Sequence, residues 1–157
     1  MGRGICRRIR GIWRGLVVEG RVIIDTGPIV AFLVEEDAHH EWAVGQFKRL
    51  RAPMLTCEAV LTEAFFLVHR LRGGVEKFVE LLESGVVEVG FELMGEREAV
   101  GKLMRKYADL PMSLADGCLV RMAELHAGAA VLTLDRHFRI YRKNGRQRIG
   151  VIMPGEG

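Results

Sequence analysis

The chain has few of the features that would place it in several common classes of protein. Its three cysteines are odd in number and widely spaced, which argues against a disulfide framework and against a zinc knuckle. No apolar run approaches the roughly 18 residues of a membrane-spanning helix. The phosphate-binding loops GxxxxGKS, GxxxxGKT and GxGxxG do not occur. We therefore expect a soluble, cytoplasmic protein with no membrane segment and no common nucleotide-binding loop.

What the chain does contain suits one compact domain, since 49% of its 157 residues are hydrophobic. Its positive charge is concentrated at the start. Residues 1–20 carry five arginines against Glu19, a balance of +4 in a chain of net charge +3. We predict that residues 1–20 are a basic extension, either a disordered arm that helps to hold nucleic acid or the product of a mis-assigned start codon. Residues 21–157 are predicted to form the single domain.

Short apolar runs and helical patterns alternate along the chain. Strands are predicted at 22–24, 54–55, 86–91, 129–135 and 149–152, and helices from 26, at 39–51, 56–71, 75–82, 95–107 and 113–126. The apolar face of the 75–82 helix is predicted to consist of Val75, Phe78, Val79 and Leu82. Strands separated by helices indicate an α/β protein, in three α/β/α layers around a central, mainly parallel sheet.

Four carboxylates fall where such a sheet binds ligands. Asp25 and Asp135 end apolar strands, Asp116 lies three residues into a helix opened by Ser113, and Glu63 lies two turns into another helix. Glu58 is five residues before Glu63 and falls on another face, so only one of these two glutamates can point inward. The carboxyl ends of parallel strands and the N-termini of the following helices meet at one edge of the sheet. Three of the five aspartates in the chain are predicted at that edge, so we expect the acids to converge.

Each of these acids also has a purely structural interpretation. Asp25 could cap the helix that follows it, and Ser113 with Asp116 has the spacing of a capping box. Glu63 could be a solvated helix residue, and Asp135 could be a turn acid or part of a surface ion pair. Taken singly, the structural interpretation is favoured for each residue. Their joint arrangement favours a common site.

A cluster of carboxylates has definite chemical requirements. Neighbouring negative charges repel, and the acids take up protons unless a cation neutralises them. Ligands that are all oxygen select Mg²⁺ or Mn²⁺ over zinc. The expected cofactor is therefore one or two Mg²⁺ or Mn²⁺ ions.

Four segments carry a resemblance to a known family. In order, they are VIIDTGPIVAFL, TCEAVLTEAFFLV, YADLPMSLADGCLV and VLTLDRHF. Over about residues 21–153 the chain resembles the PIN domain, and especially the VapC-type toxin ribonucleases of type II toxin–antitoxin systems. The resemblance implies a catalytic set made of Asp25, Glu63, Asp116 and Asp135. The three aspartates would be the metal ligands, Glu63 would position or deprotonate the attacking water, and Thr133 and Ser113 would support them.

The same resemblance implies a function. It predicts a metal-dependent endoribonuclease that hydrolyses RNA phosphodiester bonds and leaves 5′-phosphate and 3′-hydroxyl ends. It also predicts a homodimer and a cognate antitoxin whose tail covers the acidic groove. Two alternatives stay open at this point: a PIN nuclease of general RNA processing, and a catalytically inactive PIN module that binds RNA or protein.

Basic residues follow Asp135 closely and suggest where RNA would be held. The candidate RNA contacts are Arg136, Arg139, Arg142 and Lys143. Interleaved aromatic residues, which are His137, Phe138 and Tyr141, are predicted to stack on bases. The alternative of equal weight is a solvated, charged hairpin between two strands.

Overall fold

A computed structural model describes residues 20–155, which form a parallel sheet with helices on both faces. The strands of this sheet are β1 Val22–Ile24, β2 Met54–Thr56, β3 Val87–Val89, β4 Ala130–Leu132 and β7 Gly150–Ile152. They stand in the order β3-β2-β1-β4-β7. The predicted three-layer α/β/α class is confirmed. The predicted basic extension of residues 1–20 lies outside the described residues, apart from its last position.

Six α-helices occur in residues 20–155. They are α1 Thr26–Leu33, α2 His40–Arg49, α3 Glu58–Val68, α4 Gly74–Ser84, α5 Leu93–Lys106 and α6 Leu114–Leu125. Helix α3 begins two residues later than predicted because Thr56 belongs to β2. Helix α5 begins two residues earlier, because the Glu92 side chain accepts hydrogen bonds from the N–H groups of Met94 and Gly95. None of these helices is long and apolar enough to cross a membrane.

Strand β1 is central to the sheet and brings distant residues together at its carboxyl end. Ile23 pairs in parallel with Leu55 of β2 and with Val131 of β4. The pairing continues past the end of β1, where the Asp25 N–H donates to the Leu132 carbonyl at 3.0 Å. Ile23 and Leu132 are completely buried, so the register is fixed by burial. The carboxyl ends of β1 and β4 therefore lie side by side.

The segment between β4 and β7 forms a 3₁₀-helix, Arg136–Arg139, and a hairpin of β5 Arg142–Lys143 with β6 Gln147–Arg148. The hairpin between two strands, which was the alternative to an RNA-binding surface in this segment, is therefore present. The expected base stacking is wrong for Phe138 and Tyr141, because both side chains are completely buried. The 3₁₀-helix turns them inward, where their rings meet edge to face 5.4 Å apart.

Helix α4 is rotated relative to the prediction. Its buried residues are Gly74, Phe78 and Leu81, whereas Val75, Val79 and Leu82 are each more than 40% exposed. The predicted apolar face is wrong for these three residues because the helix packs through Gly74, Phe78 and Leu81 instead. Nearby large apolar side chains are also exposed: Phe65, Phe66, Leu67 and Leu71. We call these seven residues the α3–α4 apolar surface.

Candidate active site

Asp25 sits at the centre of the carboxyl edge and is only 6% exposed. It is the N-cap of α1, where Oδ1 accepts the Thr26 N–H at 2.7 Å. Its other oxygen, Oδ2, accepts the Thr133 hydroxyl at 2.6 Å. The capping interpretation of Asp25 is thus confirmed. Capping does not exclude a role at the site, because the same carboxylate lies at the meeting point of β1 and β4.

Thr133 connects the two strand ends. Its hydroxyl donates to Asp25 and accepts the Asp135 N–H at 2.9 Å. The loop that carries Asp135 can approach α1 closely because residue 27 is glycine, where a Cβ would lie 3.2 Å from the Cβ of Leu134. Thr133 and Gly27 together keep the Asp25 and Asp135 segments in contact.

Asp135 is half-buried and caps the 3₁₀-helix. Its Oδ1 accepts the His137 N–H at 2.9 Å and lies 2.7 Å from the His137 ring Nδ1. His137, a member of the predicted aromatic group, thus contacts Asp135 through its ring nitrogen and not through stacking. Its position two residues after an acid at a strand end was the available sequence signal.

Asp116 enters the site from the N-terminal end of α6. It is 8% exposed and forms a complete capping box with Ser113. Its Oδ2 accepts the Ser113 N–H at 2.9 Å, and the Ser113 hydroxyl accepts the Asp116 N–H at 3.1 Å. The structural interpretation is confirmed here as well. The capping box uses only one carboxylate oxygen of Asp116, and it fixes the side chain against the helix end.

Glu63 comes from α3 and is linked to the first turn of α1. The Thr26 hydroxyl donates to Glu63 Oε2 at 3.0 Å, and Glu63 is half-buried. Glu58 is exposed, so of the two glutamates Glu63 is the one on the inward side of the helix. Thr26 was not identified from the sequence as a site residue. Its signal was its place directly after Asp25, at the first residue of a helix.

The protonation behaviour of the aspartates shows that they share one electrostatic environment. Burial raises the pKa of Asp25 from 3.8 to about 7 against the lowering effect of the Thr133 and Thr26 hydrogen bonds, and the charges of Asp116 and Asp135 raise it further. Burial likewise raises the pKa of Asp116, opposed by the hydrogen bond from the Ser113 N–H and assisted by the charges of Asp135 and Glu63. The charges of Asp135 and Glu63 therefore reach Asp116, and those of Asp116 and Asp135 reach Asp25.

A sequence comparison agrees with this arrangement. A family profile described as PIN domain matches residues 22–144. The chain belongs to the PIN domain family. It is also similar to Ribonuclease VapC26 of Mycobacterium tuberculosis (strain ATCC 25618 / H37Rv), with 27% identity over 135 residues. That alignment covers 83% of this chain and 99% of the relative. The resemblance read from the four sequence segments is confirmed at the level of the family.

The acids of this PIN domain fit a divalent cation by their chemistry. All their donor atoms are oxygen, and their like charges favour a bound cation. Within residues 20–155, no three side chains of the metal-ligating types are already grouped around one point. Each of the four carboxylates instead accepts at least one hydrogen bond from the protein. Coordination would therefore exchange some of these hydrogen bonds for bonds to the ion.

The basic residues beside the PIN domain site differ in their exposure and in their hydrogen bonds. Arg136 and Arg139 are exposed on the 3₁₀-helix. Arg142 Nη1 donates to the carbonyl oxygens of Arg139, Ile140 and Tyr141 at 2.7 to 2.9 Å. This nitrogen thus stabilises the turn after the 3₁₀-helix. Contact of these residues with RNA stays a prediction.

Proposed function

We propose that this PIN domain is a metal-dependent endoribonuclease that hydrolyses RNA phosphodiester bonds, and that it is the toxin of a VapBC-type pair. The observation that carries the proposal is the convergence of Asp25, Glu63, Asp116 and Asp135 at one edge of the sheet, with the pKa of Asp25 raised to about 7. Membership in the PIN family and the similarity to a protein named as a ribonuclease support the same chemistry.

Each acid has a defined part in this proposal. Asp25, Asp116 and Asp135 would hold one or two Mg²⁺ or Mn²⁺ ions. Such ions, when bound, lower the pKa of water, orient the phosphate and stabilise charge on the leaving oxygen. Glu63, oriented by the Thr26 hydroxyl, positions the attacking water or accepts its proton.

The supporting residues act through the acids. The Thr133 hydroxyl fixes Asp25, and the Ser113 backbone and hydroxyl fix Asp116. Water is the nucleophile that suits this site. Cys57 and Cys118, the free cysteines in the described part of the chain, are both buried, and the proposed chemistry requires no covalent intermediate on the protein.

The direct test is RNA cleavage by the purified protein. We expect cleavage of single-stranded or structured RNA with Mn²⁺ or Mg²⁺, loss of cleavage in excess EDTA, and recovery when Mn²⁺ is restored, because the acids repel phosphate unless a cation neutralises them. The products are expected to carry 5′-phosphate and 3′-hydroxyl ends, which ligation and end-labelling assays distinguish.

A contaminating nuclease is the main source of error in that assay. The Asp116→Asn protein, prepared by the same purification, serves as the control, because a contaminant would copurify with both. Cleavage that persists unchanged in EDTA would contradict metal dependence. The absence of cleavage on a mixed pool of structured and unstructured RNA, with Mn²⁺ present, would favour an inactive binding module.

The toxin role also predicts protein partners. The α3–α4 apolar surface leaves seven large apolar side chains exposed, and exposed apolar patches of this kind commonly bind other proteins. We propose a homodimer and an antitoxin whose basic side chain pairs with the acidic groove.

Light scattering of the purified protein should give twice the mass of the chain. Coexpression with the product of a small neighbouring reading frame should yield a complex that does not cleave RNA. A monomer that no such product inhibits would argue for general RNA processing.

A further inference from the structure

Tyr141 is an unusual residue in the core of this protein. Its side chain is completely buried, and its hydroxyl makes no hydrogen bond with any residue of 20–155. Among those residues it is the one buried side-chain nitrogen or oxygen without a partner. Because buried polar groups in native proteins nearly always have partners, a lone orphan calls for a physical explanation.

The ring of Tyr141 is held firmly in place. Its backbone N–H donates to the His137 carbonyl at 2.9 Å. The ring packs edge to face on Phe138 and on Tyr107, with centroids 5.4 Å and 5.1 Å apart, and lies against the His137 ring at 6.3 Å. A side chain fixed on three sides cannot easily turn its hydroxyl to another partner.

Tyr141 lies beside the acidic site, because its ring rests on the His137 ring, whose Nδ1 is 2.7 Å from Asp135 Oδ1. Burial and then the charges of Asp116 and Asp135 raise the pKa of Tyr141, and Asp25 adds to the effect. Asp116 is the strongest of these carboxylate influences, although the two groups do not meet the geometry of a hydrogen bond in residues 20–155. The capping box occupies Asp116 Oδ2 and leaves Oδ1 outside it. Tyr141 is therefore a neutral donor on which the Asp116 carboxyl group exerts a strong electrostatic influence.

A neutral donor suits a carboxylate that must bind a cation. An arginine or lysine at this place would neutralise the acid and compete with the ion, whereas a hydroxyl can orient the carboxylate without adding charge. We propose that Tyr141 is a positioning residue of the active site, whose hydroxyl donates a hydrogen bond to Asp116 when that carboxylate holds a divalent cation. This inference rests on the proposed function, since it assigns a partner to one of its metal ligands.

The test compares Tyr141→Phe with the wild-type protein in three measurements. These are the thermal midpoint in EDTA, the Mn²⁺ dissociation constant by calorimetry, and kcat/KM for RNA cleavage. Phenylalanine keeps the ring packing and removes only the orphan hydroxyl, so the metal-free midpoint should stay the same or rise. Mn²⁺ affinity and kcat/KM should each fall by about tenfold, the lower end of the usual effect of a residue that orients a metal ligand.

Tyr107→Phe is the matched control. The Tyr107 hydroxyl accepts the Arg142 N–H at 2.8 Å, so its loss should lower the metal-free midpoint. Mn²⁺ affinity should be unchanged, because the Tyr107 hydroxyl is already engaged by the hairpin. Tyr141→Phe is therefore expected to lose Mn²⁺ affinity without losing stability, and Tyr107→Phe is expected to lose stability without losing Mn²⁺ affinity.

The possible results separate this inference from the function on which it rests. If the wild-type protein binds Mn²⁺ and cleaves RNA, and Tyr141→Phe does both equally well, the role of Tyr141 is overturned but the proposed function is not. A lower metal-free midpoint for Tyr141→Phe with unchanged Mn²⁺ affinity would show a purely structural role and would also overturn it. Wild-type protein that neither binds Mn²⁺ nor cleaves RNA would overturn the proposed function and this inference together.

Discussion

Replacing Asp116 by asparagine should reduce RNA cleavage by more than about a hundredfold while the protein stays folded. Loss of a partner that merely orients a metal ligand typically costs about 10 to 100-fold, and loss of a ligand itself should cost more. The fold should survive because an asparagine oxygen can still accept the Ser113 N–H, and the Ser113 hydroxyl can still accept the N–H of residue 116. The change thus removes the charge and keeps the capping box.

Asp109→Asn is the matched control for this variant. It makes the same chemical change seven residues earlier, at an exposed position that corresponds to no acid of the family pattern. Its kcat/KM with Mn²⁺ should equal that of the wild-type protein. Thermal midpoints measured for all three proteins establish that each is folded. Undiminished cleavage by Asp116→Asn would remove Asp116 from the site, and with it the assignment of a shared cation.

The sequence predicted the three layers and the strand that carries Asp25 because these depend on local patterns, whereas the catalytic role of the four acids stays a prediction. An apolar run followed by an acid and a helix start is visible within a dozen residues, and strands separated by helices restrict the topology to a parallel sheet. Capping and catalysis are alternatives in the sequence but not in the structure, where Asp25 and Asp116 cap helices and are also close enough for the charge of Asp116 to raise the pKa of Asp25.

What could not be predicted depends on contacts between distant segments. Thr133 meets Asp25 across 108 residues of sequence, and Thr26 meets Glu63 across 37. The burial of Tyr141 was misread because its basic neighbours suggested a solvated surface, while the 3₁₀-helix turns the ring inward. The rotation of α4 was also missed. Its apolar residues are compatible with more than one buried face, and the packing against the rest of the protein decides which face is buried.

Asp25→Asn should change stability and activity in opposite directions. The pKa of Asp25 is about 7 in the folded protein and 3.8 in its ordinary environment, so between these values the folded state binds more protons than the unfolded state. Stability contributed by this group is therefore lost as pH rises from about 4 to about 7. Asparagine is neutral throughout and can still accept the Thr26 N–H and donate to the Thr133 hydroxyl.

In EDTA at pH 8, Asp25→Asn should melt at least about 2 °C above the wild-type protein, which corresponds to about 1 kcal/mol for a chain of this size. The difference should shrink as pH is lowered toward 5, where the wild-type carboxyl is protonated. RNA cleavage should be lost at every pH because the substitution removes one of the proposed ligands of the cation. Scanning calorimetry from pH 5 to 8 and a parallel cleavage assay measure both effects, with Asp109→Asn as the control.

Addition of Mn²⁺ at pH 8 should then reverse the order of the melting temperatures. The cation relieves the repulsion among Asp25, Asp116 and Asp135 in the wild-type protein and stabilises it by preferential binding to the folded state. Asp25→Asn has less charge to neutralise and one proposed ligand fewer, so its gain in melting temperature should be smaller. A variant that melts below the wild-type protein in EDTA at pH 8 would show that Asp25 stabilises the fold chiefly as a helix cap. Equal Mn²⁺ responses would show that the cation does not bind at Asp25.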